Sequence, residues 1–140
     1  MSREEKKEYL NGYKKACIKL VALQEQMESL REVGQTARSQ QLSDMPKGGK
    51  RHKDLSDLVV KTEKLQDRID DVMIETLQVK IDIEESLLGV KDAEEARVLR
   101  LRYIDFMKWE DISEEMNYSY RQVLYVHGRA LENYENKKLA

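Results

Sequence analysis

Apolar residues recur in the first quarter of the chain at Tyr9, Tyr13, Ala16, Leu20, Leu23, Met27 and Leu30, in steps alternating between four and three. That alternation keeps one side of an α-helix apolar and is the heptad signature of a coiled-coil seam. Ser2 and Glu5 sit at the spacing of a capping box, in which each side chain satisfies a free backbone donor of the other. A helix is therefore predicted over residues 2–31, ahead of Gly34. Gly12 should weaken its first turns by about 1 kcal/mol relative to Ala. The same alternation returns from Asp54 in Leu58, Thr62, Leu65, Ile69, Val72, Thr76, Val79 and Ile83, with Gly89 as a stop and Val90 as the apolar residue that often follows one. Neither helix can bury its stripe alone, so the two should form a long antiparallel, coiled-coil-like helical hairpin. Val59, Met73, Leu77, Ile81 and Leu88 flank the second seam and exceed what one partner helix covers. They imply contact with the C-terminal part or with a second subunit.

Between the helices, residues 34–53 lose the period and hold Gly34, Pro46, Gly48 and Gly49, which reads as a flexible loop. Its end, Pro46-Lys47-Gly48-Gly49-Lys50-Arg51-His52-Lys53, is basic. Lys47, Lys50, Arg51 and Lys53 are candidate secondary phosphate contacts, although basic loop tips are more often simply solvated. The paired glycines do not make a nucleotide-binding loop, since no strand precedes them and no Gly-Lys-Ser or Gly-Lys-Thr follows.

Beyond Gly89 the pattern shortens. Asp92 and Glu95 mark another helix start, with Ala93, Ala96, Leu99, Tyr103 and Ile104 as an inner face. Residues 112–131 then have the layout of a helix-turn-helix. Asn117 stands where the backbone must leave the first helix, and Asn tolerates the left-handed conformation. Ser119 and Gln122 offer a Ser-x-x-Gln box that opens a second helix over 119–137. At 100° per residue, Tyr120, Val123, Leu124, Val126, His127, Ala130, Leu131 and Tyr134 share one broad face, with Ile112 and Met116 as packing partners. The other face carries Arg121, Gln122, Tyr125, Gly128, Arg129 and Glu132. Arg pairs bidentately with guanine and Gln with adenine, while Arg and Tyr also reach phosphates, so this face suits major-groove readout. The candidate DNA-binding residues are Tyr118, Ser119, Tyr120, Arg121, Gln122, Tyr125 and Arg129; the alternative is a solvated face of an amphipathic helix. The fold class is all-α, with a helical hairpin at 1–90 and a three-helix helix-turn-helix domain at 91–140.

Composition agrees with long exposed helices over a thick core: 37% of residues are charged, 6% aromatic, and one is proline. The net charge of −2 disfavours a nonspecific nucleic-acid coat protein but leaves room for a local basic surface. Charge is unevenly spread: residues 54–91 hold ten acids against five bases, whereas 34–53 hold one acid against five. The second long helix should therefore stay off DNA. Cys17 is the single cysteine, which excludes an intramolecular disulfide and, with no His placed near it in sequence, reads as an inert thiol. With neither a signal peptide nor a membrane-length apolar run, a cytoplasmic protein without membrane contact is expected. No metal-ligand set, cofactor motif or nucleophile–base pairing emerges, and His127 on the apolar helix face suits packing better than ligation, so no enzyme, cofactor or metal is expected.

The segment Val98-Leu99-Arg100-Leu101-Arg102-Tyr103-Ile104, with Trp109-Glu110-Asp111-Ile112 and Tyr118-Ser119-Tyr120-Arg121-Gln122-Val123, resembles region four of bacterial sigma factors. It is most similar to small sigma-like transcription regulators of phages and prophages, which resemble phage late-gene regulators. In that group an Arg-Tyr pair ends the supporting helix, a Trp-Glu-x-Ile block forms the first motif helix, and a Tyr-Ser-x-x-Gln-Val block opens the recognition helix. A helical hairpin with a Gly-rich basic loop, as in Met45-Pro46-Lys47-Gly48-Gly49, precedes the motif there too. The resemblance implies a DNA-binding regulator whose recognition helix reads promoter DNA while the hairpin contacts bacterial RNA polymerase or a second copy in a homodimer. Lys108 departs from the pattern, standing where a Ser or Thr cap is usual, and Ser113 replaces the usual Ala. Nothing resembles the other sigma regions, so a complete sigma factor is not implied. Two alternatives stay open: a small-terminase-like DNA-packaging protein, which would form rings, and a polymerase-binding adaptor that never touches DNA.

Overall fold

A computed structural model of the chain describes residues 1–43 and 49–136, the backbone alone for 37–43 and 49–54. Among these residues lie six helices: α1 (Arg3–Leu10), α2 (Gly12–Ser43), α3 (Gly49–Leu88), α4 (Ala93–Tyr103), α5 (Trp109–Met116) and α6 (Tyr120–Asn133). The fold is all-α. The capping box at the start is complete, Ser2 Oγ accepting from Glu5 N at 3.2 Å and Glu5 Oε2 from Ser2 N at 2.9 Å. The single helix predicted for 2–31 is instead broken at Asn11, where two weak helix formers, Asn11 and Gly12, stand side by side.

The loop predicted for 34–53 is also corrected, because helix continues to Ser43 and resumes at Gly49. Gly34 does not stop α2; a Cβ there would lie 3.5 Å from Leu58 Cδ2, so the chain packs closely on α3 at that point. Lys47 lies outside the described residues, as do the side chains of Lys50, Arg51 and Lys53.

The chain divides into two compact units, Met1–Cys17 with Thr76–Ala140, and Ile18–Glu75. The second unit is built on the paired seams: Met27, Leu65 and Ile69 form its buried core, with Leu20, Leu23 and Leu30 packed against them. Residue 27 clusters with 65 and 69 while residue 34 meets 58, so α2 and α3 run antiparallel here. The first turns of α2 and the last turns of α3 belong to the unit that holds α4, α5 and α6.

That unit has two clusters. Leu10 from α1 and Ile83 and Leu87 from α3 are buried with Leu99, Tyr103, Ile104, Ala130, Leu131 and Tyr134. Leu101, Ile112 and Val123 tie α4, α5 and α6 together, with Trp109, Met116 and Tyr118 beside them. Helix α6 ends at Asn133 instead of 137, where Tyr134 turns to extended backbone, and Lys6 Nζ satisfies two of its last carbonyls, donating to Leu131 O at 2.7 Å and to Glu132 O at 3.2 Å. A cation at the negative end of a helix is favourable twice, as donor and as charge. Lys6→Met, which keeps the aliphatic stem, should lower stability by about 1–2 kcal/mol in urea unfolding; an unchanged midpoint would show the contact to be idle.

Of the flanking apolar residues on α3, Leu77, Ile81 and Leu88 are exposed within the first unit, and Val59 and Met73 within the second. The chain alone does not cover them. No helix among the described residues is long and apolar enough to cross a membrane.

Candidate functional site

The turn between α5 and α6 takes the conformation its residues suggest. Asn117 has φ 57° and ψ 39°, the left-handed region in which Asn is among the few tolerated side chains. Its amide donates to Glu114 O at 3.3 Å and the next amide, of Tyr118, to Ser113 O at 3.0 Å, so the end of α5 is closed. Ser113 Oγ returns a bond to Tyr118 O, which explains a use for Ser at this crossing. Ser119 then opens α6 by accepting from Gln122 N at 3.1 Å. The reciprocal bond of the expected box, from the Gln122 side chain to the Ser119 backbone, is missing among the described residues. Lys108 opens α5 with no side-chain cap, as its chemistry requires.

Helix α6 separates its faces sharply. Val123, Val126, His127, Ala130 and Leu131 are buried. Arg121, Gln122, Tyr125 and Arg129 are exposed, Tyr125 at 65%. Tyr120 and Leu124, expected on the core face, are exposed at 46% and 38%. The apolar face is narrower than the wheel suggested.

Not every candidate is free to bind. Tyr118 donates its hydroxyl to Glu94, and that bond pushes its phenol pKa up; Tyr118 is a brace between α4 and the turn. Ser119 is occupied as a cap. Arg129 Nε lies 3.8 Å from Glu95 Oε1, and its guanidinium stands 5.9 Å from the Tyr125 ring centroid. The carboxylate of Glu95, buried at the start of α4, also accepts from Asn133 Nδ2 at 2.9 Å. Arg129 is thus held in place by an acid, while Arg121, Gln122 and Tyr125 face outward as the free part of the site.

Behind the site sits a polar cluster that residue patterns did not reveal. The buried His127 places Nε2 2.9 Å from the Tyr103 hydroxyl, and its ring lies edge-on to Trp109 at 4.6 Å between centroids. Burial lowers the His127 pKa to about 4, helped by the positive charges of Lys7, Arg3 and Arg102. Burial also raises the Tyr103 pKa, so the phenol keeps its proton and donates when the imidazole nitrogen is unprotonated. His127 is a packed, neutral histidine. Among the described residues no group of His, Cys, Asp and Glu could hold a metal ion.

A family model described as "Protein of unknown function (DUF1492)" matches residues 35–136. No curated protein and no solved structure matches the chain.

Proposed function

The chain belongs to the DUF1492 family of proteins of unknown function, and we propose that it binds double-stranded DNA through α6, as a transcription regulator of the phage and prophage sigma-like type. The observation that carries this reading is the outward display of Arg121, Gln122 and Tyr125 in the first turns of α6, immediately after a closed left-handed turn. Those are the positions from which a recognition helix reaches base edges. Their chemistry matches guanine, adenine and phosphate. The exposed Leu77, Ile81 and Leu88 on α3 supply a surface for a second contact, through polymerase or another copy of the chain. With a net charge of −2, the module gains little from nonspecific attraction, and that second contact would make up the difference.

Arg121→Ala should weaken binding to a duplex selected from a random pool by about 1–3 kcal/mol, with discrimination relaxed at one base position. Fluorescence anisotropy on the selected and scrambled duplexes reads both effects. Equal affinity of the variant and the parent for the selected duplex would remove Arg121 from the interface.

A further inference from the structure

Three cations from outside the helix-turn-helix gather on one flank of α6. A Cβ built at Gly128 would stand 3.4 Å from Arg3 Nη2, so the guanidinium of α1 lies directly over the helix where α6 has no side chain. Arg102 stacks its guanidinium 4.3 Å from the Trp109 ring centroid and donates to Met107 O at 3.0 Å, and Trp109 in turn touches His127, the neighbour of Gly128. Lys7, one turn along α1 from Arg3, comes within 3.8 Å of the exposed Glu4. Among the described residues no carboxylate lies within ion-pair distance of Arg3 or Arg102. Glu4 offsets Lys7 alone; Arg3 and Arg102, brought beside the same helix with no ion-paired acid, repel one another, and such an arrangement favours a bound anion.

The flank is continuous with the outward face. At 100° per residue Gly128 follows Arg121 and Tyr125 up the same side of α6. Arg3 is exposed, while Lys7 and Arg102 are half-buried, Arg102 being held against Trp109 and the Met107 carbonyl and Lys7 against Glu4. Gly128 leaves room for this approach, since even a Cβ there would already touch the guanidinium, and a helix-interior glycine otherwise costs stability.

We propose that Arg3, Lys7 and Arg102 form a phosphate-binding flank that grips the sugar–phosphate backbone of the duplex whose bases α6 reads. This rests on the DNA-binding reading above. It moves the backbone contact from the basic residues around 47–53 to the N-terminal helix, which is chemically suited because phosphate contacts set register without needing a particular base. Arg3 is the cleanest probe, since it makes no hydrogen bond among the described residues that its loss would break.

The test measures binding of the full chain to a selected and to a scrambled duplex by fluorescence anisotropy between 50 and 200 mM salt. Arg3→Gln should weaken both duplexes alike, by about five- to tenfold near 0.1 M salt, and should reduce the slope of log affinity against log salt by about 0.9. Arg3→Lys, which keeps the charge, should restore most of the slope. Arg102→Gln should lower the slope similarly, and its thermal midpoint, compared with that of Arg3→Gln, separates lost stacking on Trp109 from lost phosphate contact. If the parent protein binds the duplexes and Arg3→Gln leaves both slope and affinity unchanged, the flank is not a phosphate site. If the parent binds neither duplex, the DNA-binding reading falls and this inference falls with it.

Discussion

Leu10→Ala should destabilise the unit that carries the candidate site by about 2–5 kcal/mol, although Leu10 is about a hundred residues away from that site in sequence. Leu10 is fully buried, in one cluster with Leu99, Ala130, Leu131 and Tyr134. Removing its branched side chain forfeits burial and leaves a cavity that rigid helices fill poorly. The fragment of residues 91–140, which the pattern alone would delimit as a domain, should for the same reason show little cooperative structure by circular dichroism. It lacks Leu10, Ile83 and Leu87, which close the core, and Lys6, which satisfies the last carbonyls of α6. A fragment melting as sharply as the full chain would mean that the stem ends only decorate a self-sufficient domain.

Stability should also fall as the pH drops below about 6.5. The His127 pKa is lowered to about 4 in the folded chain, chiefly by burial and then by Lys7, Arg3 and Arg102; the ordinary value of about 6.5 applies once the chain unfolds. Between these values the unfolded chain takes up a proton that the folded chain refuses, so the contribution is complete above pH 6.5 and is lost progressively toward pH 4. At about 1.36 kcal/mol per unit, the loss is about 2 kcal/mol by pH 5 and about 3 kcal/mol by pH 4. Carboxylates titrate at the lower end of the range, so the informative comparison is with His127→Gln, which can still accept from Tyr103. Urea titrations between pH 7 and 5 should show the parent falling and the variant nearly level. Parallel curves for the two proteins would refute a neutral, buried His127.

Much of the fold was legible because heptad stripes report directly on what an antiparallel partner must cover. Leu65, Ile69, Val72, Thr76 and Ile83 are buried as their spacing requires. The caps at Ser2, Asp92 and Ser119 and the left-handed Asn117 follow from local chemistry that operates within one turn of helix. What could not be read were consequences of contacts between distant segments. Residues 34–43 look like a loop by composition, yet Gly34 packs against Leu58 and the helix runs on. Helix α6 gives way to extended backbone at Tyr134, whose side chain is fully buried with Leu10 and Ile83, and nothing near Asn133 announces that. The site shows the same division. Arg121, Gln122 and Tyr125 were placed outward by periodicity, whereas the diversion of Tyr118 to Glu94 and of Arg129 to Glu95 depends on how α4 lies beside α6. A further feature without a sequence signal is Phe106, held at φ 58° after α4, where Gly or Asn would be usual, with its ring 5.2 Å from that of Tyr13.

The bond from Lys6 to Leu131 spans 125 residues, and it orders events in time. Helical chains with local contacts fold fast, and pairings of high sequence separation slow them. During synthesis α1 emerges first and can form its capped helix, but Leu10 has no core to enter until α4 and α6 have followed. The core around Leu10 and Leu131 would then be the last part of its unit to close.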